Sequence, residues 1–104
     1  MKRDIWEEEC YIKVHRYMNE IVVAICDANL LGKTISYGRI KLEISKKFYG
    51  GSKVKLKEVL RFIEEATIIN AVGKNVVTLL TQLYSNIEDA ILWIGDVPHV
   101  QIVK

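Results

Sequence analysis

The chain has 104 residues, half of them apolar and 27% charged, with a formal net charge of +2 at neutral pH. That length supports one domain whose core holds without disulfides or metal, and the composition excludes intrinsic disorder. The longest apolar run, IVVAIC, has six residues, far short of the roughly 20 a spanning helix needs, and the opening MKRDIWEEE lacks the apolar stretch of a secretory signal.

Residues 1–9 read as an N-terminal extension and residues 10–104 as a single domain. CYIKVHRY (10–17) and IVVAICD (21–27) are rich in Ile, Val and Tyr and read as strands. The intervening MNE suits a hairpin with a three-residue connection. Pairing Tyr17 with Ile21 then sets Ile12 opposite Cys26. The even face of that hairpin carries Cys10, Ile12, Val14, Val22, Ala24 and Cys26, which are core-like, with Arg16 at its end. The odd face carries Tyr11, Lys13, His15, Tyr17, Ile21, Val23, Ile25 and Asp27, a mixed set.

DANLLGKT (27–34) ends like a phosphate-binding loop. Such a loop needs a glycine where this chain has Asp27, so nucleotide binding is excluded there. RIKLEIS (39–45) alternates strictly, with Ile40, Leu42 and Ile44 on one side, and predicts a half-buried strand. YGGSK (49–53) breaks the sheet, and Ser52 is placed to cap a helix over residues 53–66, with Leu56, Val59, Leu60 and Ile63 at helical spacing. TIINAVG (67–73) reads either as a short strand, the preferred reading, or as helix kinked at Gly73, and Val76, Leu79, Leu80 and Leu83 predict a second helix. AILWIG and HVQIV close the chain as two strands around the turn residues Gly95, Asp96, Val97 and Pro98. The C-terminal segment is then sheet and not tail, with Val100 and Ile102 facing the core and His99 opposite.

This order implies an α+β fold: a mostly antiparallel sheet of about five strands covered by two helices. The expected core combines Ile12, Val14, Val22, Ala24, Ile40, Leu42 and Ile44 with Leu56, Val59, Leu60, Ile63, Leu79, Leu80 and Leu83.

Catalytic and metal constellations are missing from the pattern. Cys26 and Asp27 are neighbours in a strand and point to opposite faces, so they form no nucleophilic pair. Among Cys10, Cys26, His15 and His99 no two lie within four positions, which does not match a structural zinc site. No catalytic residue, metal or cofactor is assigned. A small enzyme, the third-ranked reading, would rely on His99 with Asp96 for acid–base work. Two cysteines without framework spacing fit a reducing cytoplasm.

Charge is unevenly spread. Residues 10–57 hold ten basic and three acidic groups, whereas residues 58–104 hold three basic and six acidic. The strongest feature is KKFYGGSKVKLK (46–57), with five lysines and no acid. Lysines neutralise phosphate, glycines let a backbone approach closely, and an aromatic ring stacks on a base. The expected interface with RNA is therefore Lys46, Lys47, Lys53 and Lys55 on phosphates, Tyr49 for stacking and Gly50 with Gly51 for close approach. Lys13, Arg39 and Lys41 extend it. The leading reading is a non-enzymatic cytoplasmic RNA-binding protein linked to translation or RNA processing. The alternative is a protein-interaction module or homodimer that uses the apolar members of the odd sheet face, Tyr11, Tyr17, Ile21, Val23 and Ile25.

The stretches YIKVHR (11–16), CDANLLGKT (26–34), LEISKKFYGG (42–51), EEATIINAVG (64–73) and IGDVPHVQIVK (94–104) resemble an archaeal family, domain-of-unknown-function family 424. The closing pattern, with Gly95, Pro98, His99, Gln101, Ile102 and Val103, is the most specific part. The first nine residues depart from the family pattern. The resemblance implies no established activity and at most an RNA-binding label. It also implies a shared role for Gly95, Pro98, His99 and Gln101 that spacing alone does not supply.

Overall fold

In the computed structural model, which describes residues 4–104, the first hairpin sets the frame. β1 (Glu9–Tyr17) and β2 (Glu20–Asp27) are antiparallel and joined by Met18 and Asn19, with Met18 in the left-handed region at φ +53°. The turn is one residue shorter than the sequence suggests, so Tyr17 pairs with Glu20 and Ile12 with Ile25. A one-residue slip moves a whole strand's side chains to the other face. The even positions of β1 therefore share a face with the odd positions of β2, which corrects the expected register. Val23 and Ile25 enter the main core, while Val22 is half-buried on the opposite side.

The chain then leaves the sheet to form β3 (Thr34–Tyr37) and β4 (Ile40–Glu43), a separate two-stranded hairpin, and α1 (Lys46–Tyr49), a single turn. The alternation in residues 39–45 is a strand as expected, but one that lies outside the main sheet. Leu42 and Ile44 point inward while Ile40 is 38% exposed. Ser45 caps α1 by accepting from the Phe48 N–H at 3.1 Å.

The expected helix over 53–66 is mostly absent. Its first part is β5 (Ser52–Lys55), paired antiparallel with β1, and only a 3-10 turn at Leu56–Glu58 and α2 (Leu60–Ile63) are helical. Lys53, Val54, Lys55, Leu56 and Lys57 also alternate with period two, and the unpaired edge of β1 selects that reading. Gly51 permits the approach, since a Cβ there would meet the Ile12 carbonyl oxygen at 2.3 Å.

β6 (Ile68–Val72) lies parallel to β2, which settles TIINAVG as a central strand. α3 (Lys74–Leu83) follows, then β7 (Leu92–Ile94) and β8 (Val97–Val103), both antiparallel. Among the described residues the main sheet has six strands in the order β5-β1-β2-β6-β8-β7, with β2–β6 its one parallel pair. The fold is α+β with a mixed sheet, one more strand than expected and little helix.

Both sheet faces are covered, which is why the central strands read as nearly continuous apolar runs. On one face α2 and α3 close over Cys10, Ile12, Val23, Ile25, Ile69 and Val100. Leu56, Val59, Ile63, Leu79 and Leu80 join that core as expected, whereas Leu60 and Leu83 face outward. Ile5 and Trp6 of the N-terminal segment pack against the same core; residues 1–3 of the expected extension lie outside the described residues. On the other face α1 and the β3–β4 hairpin cover Ala24, Cys26 and Val72. Among the described residues no helix is long and apolar enough to cross a membrane.

Candidate functional site

The layer built by residues 31–50 carries the most distinctive surface. Ile35 and Leu42 pair across β3–β4 and pack inward, so the alternate positions and the turn face outward. Lys33, Arg39, Lys41, Lys46 and Lys47 are all exposed there, against the single acid Glu43. None of these five cations makes an ion pair among the described residues. Lys13 reaches the same layer from β1 and donates to the Lys47 carbonyl at 2.8 Å. Arg39, Lys41, Lys46, Lys47 and Lys13, assigned separately from sequence, thus belong to one layer, and Lys33 joins them.

The second half of the basic run lies in a different setting. Lys53 is 3.6 Å from Glu9, and Lys55 and Lys57 each sit 2.9 Å from Glu7. Hydrogen bonds from those two ammonium groups hold the Glu7 carboxyl down at about 2. Lys53 and Lys55 therefore each face an N-terminal acid across an exposed ion pair.

Tyr49 is 3% exposed, with its ring in the second core, so the expected stacking on a base is closed to it. Its hydroxyl donates to Asn70 Oδ1 at 2.5 Å, and burial pushes the phenol up to about 12. Gly50 and Gly51 make close backbone approaches, but to the chain itself: Cβ atoms would strike the Lys46 and Ile12 carbonyl oxygens at 2.4 and 2.3 Å. The exposed ring of this layer is instead Tyr37, 65% exposed beside Gly38 and Arg39. Sequence reasoning missed Tyr37 although its place beside a Gly-Arg turn in a basic segment was legible.

The C-terminal pattern resolves into turn chemistry and a polar network. Gly95 adopts φ +65° in the β7–β8 turn, with the Tyr37 ring 3.7 Å from where a Cβ would stand. The buried Pro98 accepts the Gly73 N–H at 2.9 Å. His99 Nε2 lies 3.2 Å from Asn70 Oδ1, and Asn70 Nδ2 donates to Gln101 Oε1 at 3.4 Å. Asn70, absent from the sequence-derived set, is the centre of this network. Burial lowers the pKa of His99.

The enzyme and metal candidates are scattered. Asp96 lies 3.9 Å from Lys74, and among the described residues the hydrogen bond of the His99 ring goes to Asn70 and not to Asp96. His15 bonds the Phe48 carbonyl at 2.8 Å and stacks on the Phe48 ring. Cys10 and Cys26 face opposite sides of the sheet, and burial raises both thiols to about 12. Among the described residues no three His, Cys, Asp or Glu side chains group as metal ligands.

A cleft of about 640 Å3 opens at the start of α3, lined by Glu7, Glu8, Glu9, Asp27 and Asp96 with Lys74. The Asn75 and Val76 amides that would cradle an anion there are occupied by the Asp27 carboxylate, at 3.0 Å each. Its sign and its filled amides exclude phosphate from this concavity.

Residues 15–104 match a family model described as a protein of unknown function (DUF424). A solved structure, that of an uncharacterized conserved protein from Methanopyrus kandleri, is 29% identical, covers 90% of each chain and superposes with a TM-score of 0.73. No curated protein is matched by the sequence.

Proposed function

The chain belongs to the DUF424 family of proteins of unknown function, and from its own surface we propose that it binds single-stranded RNA without catalysing a reaction. The observation that carries this reading is the layer over residues 31–50, whose five exposed cations have no ion-pair partner among the described residues. Cations left unpaired in one layer, with an exposed aromatic among them, suit a flexible phosphate chain with accessible bases. Lys33, Arg39, Lys41, Lys46, Lys47 and Lys13 contact phosphates, and Tyr37 takes the stacking role in place of Tyr49. Lys53 and Lys55 contribute less, because Glu7 and Glu9 already compensate them. A cytoplasmic role in translation or RNA processing accords with this reading.

Binding of a labelled single-stranded oligoribonucleotide, followed by fluorescence anisotropy, tests it. Tyr37→Ala should weaken binding by about 1–3 kcal/mol, the worth of one base–aromatic stack. Tyr17→Ala removes an equally exposed ring outside the layer and should change nothing. Equal effects of the two variants, or no binding by the wild type at low salt, contradict the proposal.

A second reading has its own observation. β7 is an edge strand whose Leu92 and Trp93 are 46% and 54% exposed, and such an edge is a template for strand pairing. A concentration-dependent dimer in sedimentation, abolished by Trp93→Ala, would favour an interaction module instead. The odd-face apolar set that first suggested such a module is not one surface, because Val23 and Ile25 are core.

A further inference from the structure

We propose that the strip of sheet beside α1 holds a reading site for one unpaired nucleobase, formed by Asn70, His99 and Gln101. This rests on the RNA reading above and adds base selection to a surface so far described only by charge and stacking.

The three side chains share a face by register. Asn70 on β6 pairs with Gln101 on β8, and His99 lies two residues from Gln101 on the same side of the strand. Asn70 is fixed in place, since its Oδ1 accepts the Tyr49 hydroxyl at 2.5 Å and faces His99 Nε2 at 3.2 Å. A carbonyl oxygen only accepts, so His99 must carry its proton on Nε2 and present Nδ1 as a lone pair. Asn70 Nδ2 donates one hydrogen to Gln101 Oε1, which leaves its second hydrogen and the whole Gln101 amino group uncommitted among the described residues. Gln101 is exposed, and His99 and Asn70 are partly so. Burial disfavours the charged imidazole, so Nδ1 stays an acceptor at neutral pH.

The strip thus offers one acceptor beside amide donors on side chains that are already oriented. A phosphate or carboxylate would meet the amide hydrogens but be repelled by the Nδ1 lone pair. A nucleobase edge, with donors and acceptors side by side, satisfies both. The borders suit a flat ring: exposed Leu92 pairs with His99 at one end, and Ile68 pairs with exposed Val103 at the other. Continuity with the basic layer is direct. The residue that pins Asn70 is Tyr49, in the same helical turn as Lys46 and Lys47.

Titration with each of the four nucleosides, followed through the side-chain amide resonances of Asn70 and Gln101, tests the site apart from phosphate contacts. At least one nucleoside should shift both resonances, and ribose 5-phosphate should not. In parallel, Gln101→Ala should reduce the preference among homopolymeric oligoribonucleotides by roughly fivefold or more, the lower range for a two-point base contact, with the salt dependence retained. Gln101 is exposed, so this variant keeps the fold. If no nucleoside moves the resonances while salt-dependent RNA binding persists, the base site is overturned and the RNA reading stands. If neither the resonances nor the oligonucleotides respond, both fall. A Gln101→Ala variant with unchanged base preference also overturns the site.

Discussion

Asp27 shows how much one side chain decides in this chain. It ends β2 where a nucleotide-binding loop would need glycine, and its carboxylate instead accepts the first free amides of α3, from Asn75 and Val76. Gly73, the N-terminal flank of α3, has no side chain to do so and must remain glycine. Its φ is +121°, and a Cβ would stand 2.4 Å from Asp27 Cγ. Asp27→Ala leaves buried donors unmet and should cost about 1–3 kcal/mol in urea unfolding, with Asp27→Asn between it and wild type. That Asp27 stands where the loop would need glycine was legible in sequence, but its capping role was not, since 48 residues separate Asp27 from Asn75.

His99 allows a second test at this scale. Burial holds its pKa below the ordinary 6.5 in the folded chain, and unfolding restores it. Between those two values the unfolded state binds more protons. The contribution is therefore complete above the unfolded value and is lost as pH falls through the folded one. Relative to His99→Gln, the wild type should lose urea-midpoint stability as pH falls from above the unfolded value of 6.5 to below it. A constant difference over that range contradicts the assignment. The choice of His99 came from its family pattern and not from spacing, and Asn70 could not be found because an asparagine inside an apolar strand has no signature of its own.

At the scale of elements, the two-residue turn at Met18 and Asn19 carries the largest consequence. It places Ile25, 1% exposed, in the main core and leaves Val22 half-buried. Ile25→Ala should cost about 2–5 kcal/mol, and Val22→Ala distinctly less, in chemical denaturation. The reverse order would restore the register expected from sequence. Strand identity was legible here because Ile, Val and Tyr dominate; register was not, because both faces of β2 are apolar and alternation gives no sign of a slip. Residues 53–66 were misread for a related reason. Leu56, Val59, Leu60 and Ile63 satisfy a helical period while Lys53, Lys55 and Lys57 satisfy a strand period, and tertiary pairing with β1 decided between them.

The C-terminal segment is a strand as expected, but it starts earlier: Val97 and Pro98, expected in the turn, belong to β8. Val100 is 1% exposed between β6 and β7, and Ile102 packs on the same core. Burying such a side chain contributes about 1.5–3 kcal/mol, and residues 99–103 also pair with all five residues of β6 on the side away from β2. Removing residues 99–104 should abolish the cooperative thermal transition. An unchanged melting temperature would mean the sheet closes without them.

Over the whole molecule the charges are sorted in three dimensions as well as along the chain. The layer over residues 31–50 holds unpaired cations, while the cleft at the start of α3 and the N-terminal turn hold carboxylates. The positive middle was legible as composition. Its division was not: Lys46 and Lys47 make no ion pair among the described residues, whereas Lys53, Lys55 and Lys57 meet Glu7 and Glu9, which lie more than 40 residues away in sequence. The salt dependence of single-stranded RNA binding tests this account most directly. Six phosphate contacts give a log–log slope near about −4.2, at roughly 0.7 per contact. Lys46→Ala combined with Lys47→Ala should make that slope shallower by about 1.4, and Lys55→Ala combined with Lys57→Ala should leave it unchanged. Binding that ignores salt, or equal loss of slope from both pairs of substitutions, would contradict the claim that the 31–50 layer is the RNA-binding surface.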